Sequence, residues 1–227
     1  MDRMQGLIRC GVLAGSLVAC HTAAPSGPDG ATPDVGGSGG TAGLHVAFTS
    51  DPVLIPGLLD DTLSLDLVVF KFDNLKVIGD AGPGDPRTTA NNFEVKWDTT
   101  TSPPPIDFVT APTGLYSKVS FQIDGHLIDE SYVFKGHVTV AGTNYPFEVE
   151  DRSTLSLSLD CSRMLEAGGA DTIKVKFAFK DALESVDWAN VHNRNGVLEL
   201  DDTDPQAILL FHSKLSNAIS IDNSGPN

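Results

Sequence analysis

Asp201, Asp202 and Asp204 crowd three carboxylates into one turn of a 227-residue chain. A hard cation such as calcium is held by closely spaced oxygens, so this turn is the candidate metal site, although the EF-hand spacing is absent. The competing reading is a helix start. Asp204-Pro205 fits an N-cap followed by proline at the first helical position, where aspartate accepts from free N–H groups. Asp60-Asp61 and the pair Asp80 and Asp85 are weaker versions of the same idea. The histidines do not gather for a transition metal: His45, His126 and His137 share parity with polar neighbours, and no His-x-x-x-His or Cys-x-x-Cys pair occurs. If a hairpin joins the stretches on either side of Asp124 and Tyr132, His126 and His137 lie too far apart along it to share an ion. No Gly-x-Ser-x-Gly elbow presents a nucleophile. Cys161 follows Asp160, whose charge raises a thiol pKa. The glycine-rich loops lack the strand before and helix after that phosphate binding requires. Carboxylates are too numerous to single out a glycosidase pair. The expectation is a protein that is not an enzyme and needs no cofactor, calcium apart.

The elements that must position these groups read as strands. Apolar residues alternate with polar ones at Leu44, Val46 and Phe48; at Phe93, Val95 and Trp97; at Val119, Phe121 and Ile123; at Leu155, Leu157 and Leu159; and at Ile173, Val175, Phe177 and Phe179. Val138 and Val140, with Tyr145, Phe147 and Val149, form a hairpin around residues 141–144. Each strand has one wet face, so the economical fold is an all-β, antiparallel two-sheet β-sandwich with one or two short helices. The segment from Thr62 to Ile78 is a long central strand whose parity switches, which places a bulge or a sheet crossing near Val68 to Phe72. Helical spacing marks Asp181 to Val191 and the stretch after Pro205, with Ile208, Phe211, His212 and Leu215 on one face. Ala218 to Ile221 returns as a last strand. Gly79 to Asn92 and Thr99 to Pro105 read as connections.

Upstream the composition changes twice. Arg3 and Arg9 precede a short apolar run, Gly11 to Ala19, as in a secretory signal peptide. From His21 to Gly43 the chain is mostly Pro, Gly, Ser, Ala and Thr, without Phe, Tyr or Trp, which cannot offset the entropy of ordering. As a coil of 23 residues this tether spans roughly 25 to 30 Å. Between the two stands Leu17-Val18-Ala19-Cys20, which resembles the lipobox of bacterial lipoproteins. That resemblance implies cleavage before Cys20 and its modification with lipid chains such as palmitate. The expected organisation is a signal peptide over 1–19, a lipidated cysteine and disordered tether over 20–43, and a sandwich over 44–227. Only Cys161 then remains as a thiol in the fold, so no intrachain disulfide forms.

"APTGLYSKV" carries a second resemblance. Pro112, Gly114 and Tyr116 are similar to the Pro-x-Gly-x-Tyr element of transthyretin-like and carboxypeptidase-regulatory-like β-sandwiches, found also in bacterial lipoproteins of unknown function. In that element the glycine permits a turn, and the tyrosine lays its ring across the domain end while its hydroxyl meets backbone. The resemblance implies a binding or surface module without an assigned activity.

Charge narrows the partners. Fifteen Lys and Arg stand against 30 Asp and Glu, net −15, a field that repels nucleic acid and anionic headgroups. Attachment to a membrane is then through the lipid on Cys20. His21 after the lipid cysteine favours the outer membrane of the cell envelope, under a sorting rule of some bacteria. The expected function is an envelope lipoprotein presenting a non-enzymatic binding domain to an envelope protein or glycan. The alternative is a calcium-stabilised adhesion or carbohydrate-binding module, with an envelope hydrolase behind it. Neither Trp97, on a dry face, nor Trp188, on a helix, marks a sugar platform.

Overall fold

The computed structural model describes residues 42–52, 57–80, 86–125 and 129–222. The elements in chain order are β1 (Gly43–Asp51), β2 (Gly57–Leu58), β3 (Leu63–Gly79), β4 (Pro86–Ala90), β5 (Phe93–Trp97), β6 (Ile106–Phe108), β7 (Gly114–Ile123) and β8 (Tyr132–Val140). Then come β9 (Thr143–Asp151), β10 (Leu155–Leu165), β11 (Ala170–Ala178), α1 (Lys180–Glu184), β12 (His192–Arg194), β13 (Val197–Leu200), α2 (Pro205–Asn217) and β14 (Ile219–Ile221). The expected all-β sandwich of two sheets is present.

The smaller sheet runs β14-β11-β1-β6. Its inward side chains are the alternating ones: Leu44, Val46 and Phe48 from β1, and Ile173, Val175 and Phe177 from β11, all buried. β1 and β11 are parallel, Gly43 opposite Ala170 through Asp51 opposite Ala178. β9 and β13 are parallel as well, so the sheets are mixed rather than wholly antiparallel. In both cases other elements intervene in the chain, and no hairpin turn dictates direction.

The larger sheet is organised by β3. On one edge it carries β8 along Leu63 to Phe70 and β7 along Phe72 to Gly79. On the other it pairs with β2, β5 and β4. Lys71 stands at the junction: its N–H donates to the Ser131 carbonyl at 3.0 Å and its carbonyl accepts from the Asp124 N–H at 2.9 Å. β7 and β8 therefore lie end to end along β3, and the hairpin expected between them does not form. β9 and β10 repeat the arrangement one strand outward, against β8 and β7 respectively. The hairpin from β8 to β9 is present, turning through Ala141 and Gly142, both at positive φ.

The parity switch in β3 has two sites instead of one. Leu63 and Leu65 are buried, then Val68, Phe70 and Phe72, then Leu75 and Val77. The register shifts between Leu65 and Leu67 against β8, and between Asp73 and Lys76 against β7, where Asn74 takes φ 58°. Each extra residue turns the following side chains to the other face. The bulges thus flank Val68 to Phe72 rather than fall within it, and Leu67 and Val69 face away from the core.

The switch delivers Phe70 and Phe72 to the sandwich interior. Phe70 lies 5.1 Å from Phe177 and 5.6 Å from Phe134, and Phe72 lies 5.2 Å from Phe48, measured between ring centres. Trp97 closes the group against Phe177 at 5.4 Å. β4 occupies part of what reads in sequence as a loop after Gly79. The expected helix over Asp181 to Val191 contracts to α1 with Phe179 at its N-cap, and Asp181 makes no cap. α2 begins at Pro205 with Asp204 in the N-cap position, as its spacing predicts, but the Asp204 side chain accepts no helix N–H, contrary to the expected cap; the helix buries Ile208, Phe211 and Leu215.

Candidate functional site

The parallel pairing of β9 with β13 sets the chemistry of the outer face. Leu200 lies opposite Val149, so the turn holding Asp201 and Asp202 stands beside Glu150, Asp151 and Arg152. Glu130, from the excursion between β7 and β8, completes a recess of about 90 Å³ lined by these six residues. A second recess of about 130 Å³ continues along Glu148, Glu150, Arg194, Glu199 and Asp201. Across the strands Lys135, Glu148, Glu199 and His192 fall in one register row. Lys135 pairs with Glu148. Arg194 bridges Glu199 at 3.0 Å and Asp201 at 3.4 Å, and Arg152 reaches Glu130 at 3.2 Å.

Glu148 and Glu150 are two residues apart on one strand, so their side chains share a face. A hydrogen bond between the carboxyls, together with burial and the charge of Glu148, pushes Glu150 up to about 7. For Glu148, burial acts upward, but the bonds from Glu150 and Lys135 outweigh it and hold it below the ordinary value. The pair therefore keeps a shared proton into the neutral range, in a groove whose remaining carboxylates attract positive charge.

The recess has a buried polar floor. Asp151 Oδ2 accepts from the Tyr132 hydroxyl at 2.7 Å and meets His212 Nδ1 of α2 at 3.0 Å, while Oδ1 accepts from the Ser153 N–H at 2.8 Å. Burial raises the Asp151 pKa, yet the bonds from His212, Tyr132 and Ser153 prevail and lower it. Burial and the Asp151 charge drive the Tyr132 hydroxyl far above its usual range. This network joins β8, β9 and α2 where β9 gives way to β10.

The residues singled out in sequence fall as follows. Asp201 and Asp202 reach the recess, and Glu130 and Glu150 join them from other segments. Asp201 Oδ1, however, accepts from the Thr203 N–H at 2.8 Å, and its carboxylate also faces Arg194. Asp204 turns the other way, with His192 Nδ1 3.0 Å from Oδ2, at ion-pair distance but without hydrogen-bond alignment. Among the described residues no three His, Cys, Asp or Glu side chains stand close enough to hold one metal ion. Asp60 accepts from the Thr62 N–H and hydroxyl at 2.6 and 2.8 Å.

His45, His137, His192 and His212 each place Nδ1 beside an aspartate, respectively Asp107, Asp66, Asp204 and Asp151. Cys161 is half-buried, and burial more than the neighbouring acid raises its thiol to about 11. Tyr116 is fully buried, and its hydroxyl donates to the Pro112 carbonyl at 2.7 Å, with Gly114 at φ 136°. Cys20, Asp85 and His126 lie outside the described residues.

Sequence reasoning missed Glu130, Glu148, Glu150 and the Tyr132–Asp151–His212 network. The spacing of Glu148 and Glu150 was a usable signal for a shared face. The approach of β13 was not, since it depends on a parallel pairing. The fold and its acidic outer face define an all-β sandwich with a carboxylate-rich groove. Compared with known proteins, the chain matches no protein-family model, no curated protein and no solved structure.

Proposed function

We propose that this chain is a lipid-anchored protein of the bacterial cell envelope, displaying a non-enzymatic β-sandwich as a binding module for an envelope protein or glycan. The observation that carries the reading is the sequence Leu17-Val18-Ala19-Cys20 between an apolar run and a glycine-rich stretch. Among the described residues the core runs from Leu44 to Ile219, the span expected of the sandwich domain. The buried Tyr116 with its bond to Pro112 adds support, because it is the arrangement that the Pro-x-Gly-x-Tyr resemblance implies. The high thiol pKa of Cys161 argues against nucleophilic catalysis there. His21 favours the outer membrane.

The test is Cys20→Ser in a bacterial host, followed by membrane fractionation and intact mass. The unaltered chain partitions with the membrane and carries acyl mass, whereas the variant is released. Retention of the variant in the membrane, with no acyl mass on either form, overturns the reading.

A further inference from the structure

A recess of about 360 Å³ lies away from the acidic groove, between the tip of the β8–β9 hairpin, the turn at Asp60 to Thr62 and the end of α1. That volume falls within the range of about 300 to 1,000 Å³ typical of small-molecule sites. Its walls include Leu63, Val138, Val140 and Trp188. Trp188 is fixed in place: its indole N–H donates to the Leu183 carbonyl at 3.1 Å, and its ring packs 4.6 Å from that of Phe147. The tryptophan therefore offers the recess an apolar surface and no donor.

The polar groups at the rim are mostly acceptors. Asp60 and Glu184 come from different segments, and both line the recess. The Thr62 hydroxyl is already spent on Asp60 at 2.8 Å. The Thr62 carbonyl accepts from the Thr139 N–H at 2.7 Å, which ties the turn to β8 and holds the rim in place. Segments 57–62 and 180–190 together carry Asp60, Asp61, Asp181, Glu184 and Asp187 against Lys180. Lys180 lies 3.5 Å from Glu184. Carboxylates that share one rim attract positive charge, and an ammonium group brings three donors with no acceptor.

We propose that this recess binds an alkylammonium group, its aliphatic stem against Trp188, Val138 and Leu63 and its charged head between Asp60 and Glu184. Such a stem with a charged tip buries its methylenes and keeps its head at the wet rim. The site supplies a ligand class for the display reading and rests on that reading only for its place in the cell. Failure of anchoring at Cys20 and failure of binding are scored separately.

The chain has two tryptophans, so ¹⁵N-indole labelling of the full chain yields two N–H signals, with core-buried Trp97 as the internal reference and Trp188→Phe for assignment. The probes are n-hexylammonium, 1-hexanol and hexanoate, with Nα-acetyl-lysine N-methylamide as the arm for a partner's lysine side chain. The expected result is a saturable shift of the Trp188 signal with hexylammonium, at a Kd on the order of millimolar, and binding about three- to tenfold weaker in Glu184→Gln. A response to the lysine derivative assigns the head group to a partner's lysine, and a response to hexylammonium alone assigns it to a free amine. Equal binding of hexanol and hexylammonium, an unaltered affinity in Glu184→Gln, or no saturable shift overturns the proposal.

Discussion

Replacing Asp151 with alanine tests whether the floor of the acidic recess holds the sheet and helix together. The carboxylate is buried, 7 % exposed, and serves three partners: the Tyr132 hydroxyl, His212 of α2 and the Ser153 N–H. Removing it leaves the Tyr132 hydroxyl without an acceptor in the core, at about 1 to 3 kcal/mol, and forfeits charge-assisted bonds to the other two. The sum is about 3 to 5 kcal/mol, the range for breaking a buried polar pair from one side. For a domain of this size each kcal/mol lowers Tm by about 2 to 4 °C, so the midpoint falls by roughly 6 to 20 °C.

Tyr132→Phe removes only one donor from a carboxylate that keeps two others, and costs about 2 kcal/mol. The double variant costs at least about 1 kcal/mol less than the sum of the singles, because both remove one shared bond. The assay is thermal unfolding by circular dichroism across pH. Asp151 has its folded pKa below the ordinary 3.8, so its contribution is present above the unfolded pKa and lost as pH falls through the folded value. The gap between the unaltered chain and Asp151→Ala is therefore steady near neutrality and narrows in acid. A midpoint for Asp151→Ala within a degree of the unaltered chain, or strict additivity with Tyr132→Phe, would refute the reasoning.

Glu150 carries the opposite sign. Its folded pKa, pushed up to about 7 by Glu148 and burial, exceeds the unfolded value of 4.5, so the fold holds the proton more tightly and loses stability as pH rises between the two. Glu150→Gln should melt higher than the unaltered chain above pH 7 and converge with it in acid, as read by melts over a pH series. Gly136→Ala should cost roughly 3 kcal/mol, the upper end of ordinary overpacking, because a Cβ there lies 2.0 Å from the Ser64 carbonyl oxygen and 2.9 Å from the Phe147 ring. Chemical denaturation measures it, and a loss below about 1 kcal/mol would mean that the bulge in β3 yields. Calcium should leave the melting midpoint unchanged, since Thr203 and Arg194 engage Asp201 and His192 stands beside Asp204. A calcium-dependent rise of several degrees would restore the turn as a metal site.

The faces of the strands were legible in the sequence because side-chain direction on a strand has a period of two, a local property that needs no knowledge of the partner. Leu44, Val46 and Phe48, or Ile173, Val175 and Phe177, declare their buried face within a few residues. The start of α2 at Pro205 was legible for the same reason, since the fit of proline to the first helical turn is local, although the side-chain cap expected of Asp204 is not made. Its Asp201 and Asp202 neighbours were visible as carboxylates, but their surroundings were not. Pairing partners, strand direction and bulge positions arise from contacts between segments far apart in the chain. Only the tertiary structure could set β7 and β8 end to end along β3, or turn Phe70 and Phe72 inward through two bulges. It likewise brought β13 alongside β9, which gathers Glu130, Glu150 and Asp201 around one recess, and it set Asp60 and Glu184 on the rim of another.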